Sequence, residues 1–165
     1  MDAITLLKND HRRIEKLFTS FERTGGRARK TRRRIVDRIA TDLTMHTTLE
    51  EHVFYPLVRQ SVPHSDFTVL EALEEHHVAK LLLNELGKIS PSDEQFAPKV
   101  AVLIQAVRQH IEREEREIFP QMRKSVGRTR VGEIGDAMHK VQRKARAASP
   151  KAAKKAARKT LKRVA

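Results

Sequence analysis

Two segments of the chain carry the same side chains at the same offsets, sixty-four residues apart. Each contains His, two Glu, an aromatic residue and Pro in that order, and the repeated pairs are His46 with Glu50 and His110 with Glu114. Side chains four residues apart lie on one face of a helix, one turn from each other. Two such pairs on facing helices would supply imidazole nitrogens and carboxylate oxygens, which are the donors of a metal site inside a helical bundle.

A third histidine lies in an apolar helical pattern near the start of the chain. His11 shares a stripe with Leu7, Ile14 and Phe18. A lone histidine in such a stripe is usually a buried packing residue, and a lone His-x-x-x-Glu pair is usually a surface pair. With the fourth histidine described next, the chain has four histidines in helical apolar stripes, and two of them are paired with glutamate. This set favours a metal site, because buried ionised carboxylates are costly unless they are paired or bind a cation.

The fourth histidine is one of two neighbours, His76 and His77. Adjacent residues on a helix point about 100° apart, so we expect only one of them to face the core. The Asp-His pair at residues 10–11 returns as Glu-His at residues 75–76, which favours His76. The leucines four positions on either side favour His77, and both residues stay candidates, with His76 preferred.

The donor set and the composition restrict the metal. Imidazole with carboxylate and no thiolate suits iron, manganese or zinc. The chain has no cysteine, which excludes structural thiolate zinc sites and iron–sulfur clusters and fits a reducing compartment.

Groups behind the ligands should fix the orientation of each imidazole. The candidates are Glu15, one turn after His11, and the glutamates Glu51 and Glu115, at least one of which we expect to be exposed. Tyr55, the only tyrosine, is expected to pack at the end of the bundle, with a hydroxyl contact to the site as the alternative. The other histidines are interpreted as surface or structural residues: His52, His64 and His139.

Helical periodicity dominates the chain, and alternating strand-like runs are absent. These patterns predict an all-α protein, an antiparallel up-down four-helix bundle with a short extra C-terminal helix and a basic tail. Pro56 and Pro120 predict a kink or a stop in the helices that contain them. The predicted helices span about residues 4–23, 28–62, 67–86, 92–125 and 130–146. The predicted divisions are a bundle at 1–126, an additional helix or connector at 127–146 and a disordered tail at 147–165.

From about residue 3 to residue 125 the sequence resembles the hemerythrin-like HHE cation-binding family. The resemblance depends on Asp10-His11, Glu75-His76 and the two His-x-x-x-Glu pairs, each of which precedes an aromatic residue and Pro. It implies two non-haem, carboxylate-bridged iron ions, with another divalent metal as the alternative. It also implies the ligands: terminal His11, His46, His76 (or His77) and His110, and bridging Glu50 and Glu114.

The chain departs from oxygen-carrying hemerythrins in two places. Their third helix has two histidines four residues apart, whereas Lys80 follows His76 and Leu81 follows His77 here. Their last helix has a His-x-x-x-x-Asp pair, whereas this chain has His-x-x-x-Glu at residues 110–114. With fewer imidazoles and more carboxylate, we expect a more open and more reactive centre than that of a reversible carrier.

The C-terminal segment has a different composition from the rest of the chain. Residues 140–165 contain eleven Lys or Arg and no acid, while the whole chain has a net charge of +13. Such a tail has too little apolar surface to fold alone, and it can bind phosphate backbones without reading sequence. A solvated, solubilising tail is the alternative. The predicted nucleic-acid contacts are Lys151, Lys154, Lys155, Arg158, Lys159, Lys162 and Arg163.

These features predict a di-iron protein that binds or reacts with dioxygen, peroxide or nitric oxide, in redox or oxygen sensing or iron handling, while its tail associates with DNA or RNA. One alternative is a di-iron enzyme with peroxidase or catalase-like activity. Another is a metal-free, basic, nucleic-acid-binding helical protein with packed histidines. No stretch approaches the roughly twenty apolar residues of a membrane span, so we expect a cytoplasmic protein, with nucleoid association as a further possibility.

Overall fold

A computed structural model describes residues 1–146, which form helices and, within that range, no strands. The predicted all-α bundle is confirmed, and the predicted tail at 147–165 lies outside the described residues. α1 packs against α2, α4 packs against α5, and α6 returns along α1. The helices are α1 (Ala3–Arg23), α2 (Arg29–Leu49), α3 (Tyr55–Ser61), α4 (Asp66–Leu86), α5 (Phe96–Arg113) and α6 (Phe119–Arg146).

The helix ends are set by local side chains. The carboxylate of Asp2 caps α1 by accepting the backbone N–H of Thr5 at 2.9 Å. Before α5, the Asp93 carboxylate accepts the N–H of Gln95 at 2.8 Å. None of the helices within residues 1–146 is both long and apolar enough to cross a membrane.

A π-helical segment follows each long helix that carries a His-x-x-x-Glu pair. The segments are Glu50–Phe54, between α2 and α3, and Glu114–Ile118, between α5 and α6. In each, the N–H of the residue before proline bonds to the carbonyl five residues back, which belongs to the glutamate of the pair. Proline has no N–H, and its ring clashes with the carbonyl four residues back, so a wider turn accommodates it. The predicted kink or stop is thus a widened turn within a continuous helix.

The apolar core is divided into two clusters by a polar layer. On α1, Leu7 belongs to one cluster and Ile14 to the other, and His11 lies between them. On α4, Ala72 and Ala79 flank His76 in the same way. The side chains predicted as ligands therefore occupy one level across the bundle, with apolar packing above and below.

The C-terminal half of α6 packs onto the bundle. Gly127 interrupts α6 with φ 74° and ψ 172°, a conformation that essentially only glycine adopts. Beyond it, Val131, Ile134, Met138 and Val141 are buried in the same cluster as α1. Residues 127–146 thus share the core of the bundle.

Candidate metal centre

Six buried side chains from α1, α4 and the two helices with π-helical segments meet in the polar layer. Each is at most 5% exposed: His11, His46, Glu50, His76, His110 and Glu114. We call this set the histidine–glutamate layer. The structure brings together the four histidines and two glutamates that the sequence placed there. His76 points inward and His77 is exposed, because adjacent residues diverge around a helix.

The layer contains two overlapping groups of donor atoms. In each group, the donor atoms lie within 4.8 Å of one another. The first ligand group is His11, His46, Glu50 and Glu114, and the second ligand group is Glu50, His76 and His110. Glu50 belongs to both groups, so the arrangement has room for two cations that share a carboxylate.

Each glutamate lies between two imidazoles. Glu50 Oε2 is 3.1 Å from His46 Nε2 and 3.3 Å from His76 Nε2. Glu114 Oε2 is 3.2 Å from His11 Nε2 and 3.5 Å from His110 Nε2. Both carboxylates therefore connect the His11–His46 side of the layer to the His76–His110 side.

Several of these atoms are buried with no hydrogen-bond partner among the described residues: His11 Nε2, both nitrogens of His46, both oxygens of Glu50 and Glu114 Oε2. An unsatisfied buried polar group costs about 1–3 kcal/mol, and more if it is charged. A cation bound by these lone pairs removes that cost. The mixed nitrogen and oxygen donors fit iron, manganese or zinc.

The two carboxylates differ in their ease of ionisation. Burial and the adjacent charge of Glu114 raise the pKa of Glu50 well above its usual value. Burial opposes ionisation of Glu114 too, but the nearby His110 and His11 imidazoles lower its pKa well below the usual range. Without a cation, the pair thus favours one proton on Glu50, which metal binding would displace.

A carboxylate accepts a hydrogen bond from the outer nitrogen of three of the four histidines. Such a bond fixes the tautomer and turns the Nε2 lone pair towards the centre. The Nδ1–Oε distances are 2.8 Å from His11 to Glu115, 2.9 Å from His76 to Glu51 and 2.8 Å from His110 to Glu75. His46 Nδ1 has no such partner within residues 1–146.

The side chain of a lysine or an arginine contacts each of these three glutamates. Lys8 Nζ lies 3.2 Å from Glu115, Arg113 lies 3.0 Å from Glu75, and the ammonium of Lys80 contacts Glu51. Burial raises the pKa of Glu51, but hydrogen bonds from His76 and Lys80 outweigh it and lower that pKa to about 2. The outer glutamates are therefore ionised acceptors held from both sides.

The sequence identified only part of this outer set. Glu51 and Glu115 were candidates, and both are half-buried, so the expected exposure of one of them is wrong. Glu15 does not hold His11. Its carboxylate instead accepts two hydrogen bonds from the Arg108 guanidinium, at 2.6 and 3.0 Å, near the surface. Glu75 was missed as a partner of His110, although its place beside His76 in the repeat was a usable signal.

Tyr55 reaches the site with its hydroxyl, the arrangement that the sequence treated as the alternative. The buried hydroxyl donates to Glu114 Oε1 at 2.7 Å and lies 3.5 Å from His110 Nε2. Burial and the carboxylates of Glu114 and Glu50 raise the pKa of Tyr55 well above its usual value. The phenol is therefore a protonated donor beside the second ligand group.

A small cavity of about 10 Å³ adjoins the second ligand group, with room for one water-sized molecule. His46, His76 and His110 are among the residues that line it. Apolar side chains form much of the remainder: Leu43, Ala79, Ala106 and Val107.

A family model described as the hemerythrin HHE cation binding domain matches residues 2–122. The chain therefore belongs to the hemerythrin HHE cation-binding family, which confirms the resemblance drawn from its histidine and glutamate motifs.

Two individual proteins are similar to the chain. A DNA nickase from Nostoc sp. (strain PCC 7120 / SAG 25.82 / UTEX 2576) is 29% identical over 126 residues, 76% of this chain and 35% of the nickase. The chain thus spans about a third of that relative's length. The crystal structure of a hemerythrin HHE cation binding domain-containing protein from Mycobacterium kansasii has a TM-score of 0.79 and 19% identity, covering 100% of this chain and 99% of that one. This second likeness shows the shared fold.

Proposed function

We propose that this chain is a non-haem di-iron protein that binds or reacts with dioxygen, peroxide or nitric oxide. The observation that supports this most is the histidine–glutamate layer, in which buried donor atoms lack partners and surround two adjacent positions. Two ferrous ions held there would supply open coordination positions and reducing electrons for a small oxidant.

The histidines of the histidine–glutamate layer would bind the two ions in two pairs. His11 and His46 would bind one ion, His76 and His110 the other, and the two carboxylates would be shared. The three glutamates behind the imidazoles keep the Nε2 lone pairs directed inward. Apolar packing above and below the layer keeps bulk water away from it. The cavity beside the second ligand group gives space for a small neutral molecule.

The reactivity is tested by mixing ferrous-loaded protein anaerobically with dioxygen, hydrogen peroxide or nitric oxide in separate stopped-flow experiments. We expect new charge-transfer absorption with at least one of them, and its loss in the Glu50→Ala variant. The Glu112→Ala variant, altered at an exposed carboxylate of α5, is the control and should react normally. A loaded protein that is spectroscopically silent towards all three would overturn the proposal.

A di-iron enzyme that turns over peroxide is the second candidate, and Tyr55 is the observation that favours it. Its hydroxyl stays protonated, donates to Glu114 at 2.7 Å and lies 3.5 Å from His110 Nε2, so it is a hydrogen-bond donor within reach of a molecule bound at the centre. Dioxygen evolution or reductant consumption over many equivalents of peroxide would support the enzyme. A single oxidation per centre would exclude it.

We further propose that the chain associates with nucleic acid through its basic segments. The tail cations named above are supported by a second basic region at the start of α2. There, Arg27, Arg29, Lys30 and Arg34 are exposed and have no acidic partner within the described residues. Cations at a helix N-terminus oppose the helix dipole, so a polyanion would relieve their repulsion. The similarity to a protein named DNA nickase is consistent with such a partner.

A further inference from the structure

Helix α4 has apolar residues on two opposite faces, and the bundle covers only one of them. The inner face packs around His76. The outer face exposes four large hydrophobic side chains by 46% to 77%: Phe67, Leu70, Val78 and Leu81. Only two other large hydrophobic residues among residues 1–146 are as exposed, Met1 and Val102. A helix that is apolar all round is normally buried all round, so the outer face lacks a cover.

The outer face is also unusual in its charge. The chain has a net charge of +13, yet the only Lys or Arg on α4 is Lys80, and its ammonium contacts Glu51. Two further cations lie close to this face and are also paired, Arg59 with Asp66 at 2.7 Å and Arg113 with Glu71 at 2.7 Å, while Glu74 is exposed. Because each of these cations is paired, two copies that approach through this face do not bring unpaired positive charges together.

We propose that the outer face of α4 binds the same face of a second copy, with the two helices antiparallel. The face reads apolar, polar, apolar along the helix: Phe67 and Leu70, then Glu74 and His77, then Val78 and Leu81. Reversing the helix leaves this order unchanged. A two-fold interface must be self-complementary in this way, because each contact occurs twice with the partners exchanged.

The spacing fixes a register for the pair. Residues 67 and 81 are equally far from residue 74, as are residues 70 and 78. Phe67 then lies opposite Leu81 of the second copy, Leu70 lies opposite Val78, and Glu74 lies at the two-fold axis. Two carboxylates at the axis weaken the pair, so Glu74→Gln should tighten it. The proposal does not depend on the metal chemistry, although α4 also supplies His76 to the layer.

Sedimentation velocity of the full chain over a range of concentrations tests the pairing. We expect a reversible dimer, with self-association weakened by about 100-fold or more in the double variant Leu70→Glu, Val78→Glu, because unpaired carboxylates are costly to bury. Ala101→Glu, which changes an exposed residue of α5 on the side near Phe21 and Arg32, away from α4, is the control and should leave the dimer intact. A wild type that stays monomeric at every concentration, a double variant that still dimerises, or a control that dissociates equally would overturn the proposal. Far-ultraviolet circular dichroism of each variant confirms that the helices are intact.

Single cysteines test the orientation, since the chain has none of its own. Glu74→Cys should form a disulfide-linked dimer on oxidation, because the two copies of residue 74 meet at the axis. Phe67→Cys should cross-link to Leu81→Cys in a mixture but not to itself, because the two copies of residue 67 would be about 20 Å apart. Efficient self-linking of Phe67→Cys would contradict the antiparallel arrangement, and failure of both expected links would contradict the interface.

Discussion

Three of the four histidines in the histidine–glutamate layer are each held by a glutamate, and each of those glutamates is held by a lysine or arginine. The chains run from His11 through Glu115 to Lys8, from His76 through Glu51 to Lys80, and from His110 through Glu75 to Arg113. An outer carboxylate raises the basicity of an imidazole ligand and fixes its direction. The affinity of the centre for metal should therefore depend on residues that never touch the metal.

Removing one outer glutamate tests this dependence. We expect Glu75→Ala to weaken metal binding by about 10- to 100-fold, because His110 loses the acceptor that orients it. Competition with a chromophoric chelator measures the change. Glu112→Ala, at an exposed position of α5, is the control and should bind as the wild type does. Equal affinities for all three proteins would show that the outer glutamates do not support the ligands.

The Tyr55 hydroxyl has an effect that can be measured without metal. Tyr55→Phe leaves the buried Glu114 Oε1 without its donor, so we expect the metal-free protein to lose about 1–3 kcal/mol of unfolding free energy. Urea denaturation of the metal-free form measures this loss. An unchanged midpoint and slope would mean that the hydroxyl contributes nothing to holding Glu114.

At the residue scale, the sequence predicted the layer but not what surrounds it. The His-x-x-x-Glu pairs were visible because helical spacing is local and the motif occurs twice. The outer contacts join residues far apart in the chain: Glu51 and His76 are 25 residues apart, and His11 and Glu115 are 104. Their choice depends on how neighbouring helices are rotated, which no local pattern specifies. Glu15 was a wrong prediction for the same reason, since a donor from α5 competes for it.

At the scale of elements, the two π-helical segments place the shared glutamates. Each begins at the glutamate of a His-x-x-x-Glu pair and ends before an aromatic residue and Pro. The prolines marked both positions in the sequence. The prolines did not predict that the local structure would be a π-helical turn, because a helix that contains a proline can kink, end or widen. The bounds of the first three predicted helices agree with the structure, since Gly25-Gly26 and Pro63 interrupt the periodicity close to where α1 and α3 end. The last two were wrong: α5 begins at Phe96 rather than near residue 92, and α6 continues to Arg146 across the predicted break at 126–129, with only Gly127 non-helical.

Gly127 allows α6 to fold its second half back against α1, and its backbone conformation makes it sensitive to substitution. We expect Gly127→Ala to destabilise the protein by about 1–3 kcal/mol, because a side chain disfavours φ 74° with ψ 172° even where space is free. Gly132→Ala is the matched control. Gly132 lies within the helix with no atom near its missing Cβ, so alanine should stabilise by up to about 1 kcal/mol. Thermal unfolding of both variants checks the opposite signs, and a shared sign would contradict the account of α6.

At the scale of the whole molecule, the buried histidine–glutamate layer is combined with a basic C-terminal segment. Residues 1–139 have a net charge of only +2, since eleven of the thirteen excess positive charges come from residues 140–165. The structure shows that the tail does not begin at residue 140, because Val141 is buried and Gln142 donates to Asp10 at 3.1 Å. A truncation intended to remove only the tail must therefore follow Arg146.

The salt dependence of DNA affinity measures how much each of the two basic segments, the tail and the start of α2, contributes to nucleic-acid binding. We expect replacement of the seven tail cations from Lys151 to Arg163 by Gln to lower DNA affinity. The plot of log K against log salt should also become less steep, because its slope decreases in magnitude by about 0.9 for each lost phosphate contact. Replacing Arg29, Lys30 and Arg34 by Gln should give a smaller change of the same kind. Metal content should not change in either variant. Undiminished binding and slope in the tail variant would contradict the proposed role of the tail.

The most direct test of the central claim is the metal content of protein purified without oxygen, measured by mass spectrometry for the wild type and for the double variant His46→Ala, Glu50→Ala. Metal bound to the folded state also adds stability, so thermal unfolding of the same samples gives an independent reading. We expect about two iron ions per chain in the wild type, loss of both in the variant, and a lower unfolding temperature with the loss. A wild type without stoichiometric metal, even after reconstitution with ferrous iron, would contradict the central claim and leave the buried histidines as packing residues.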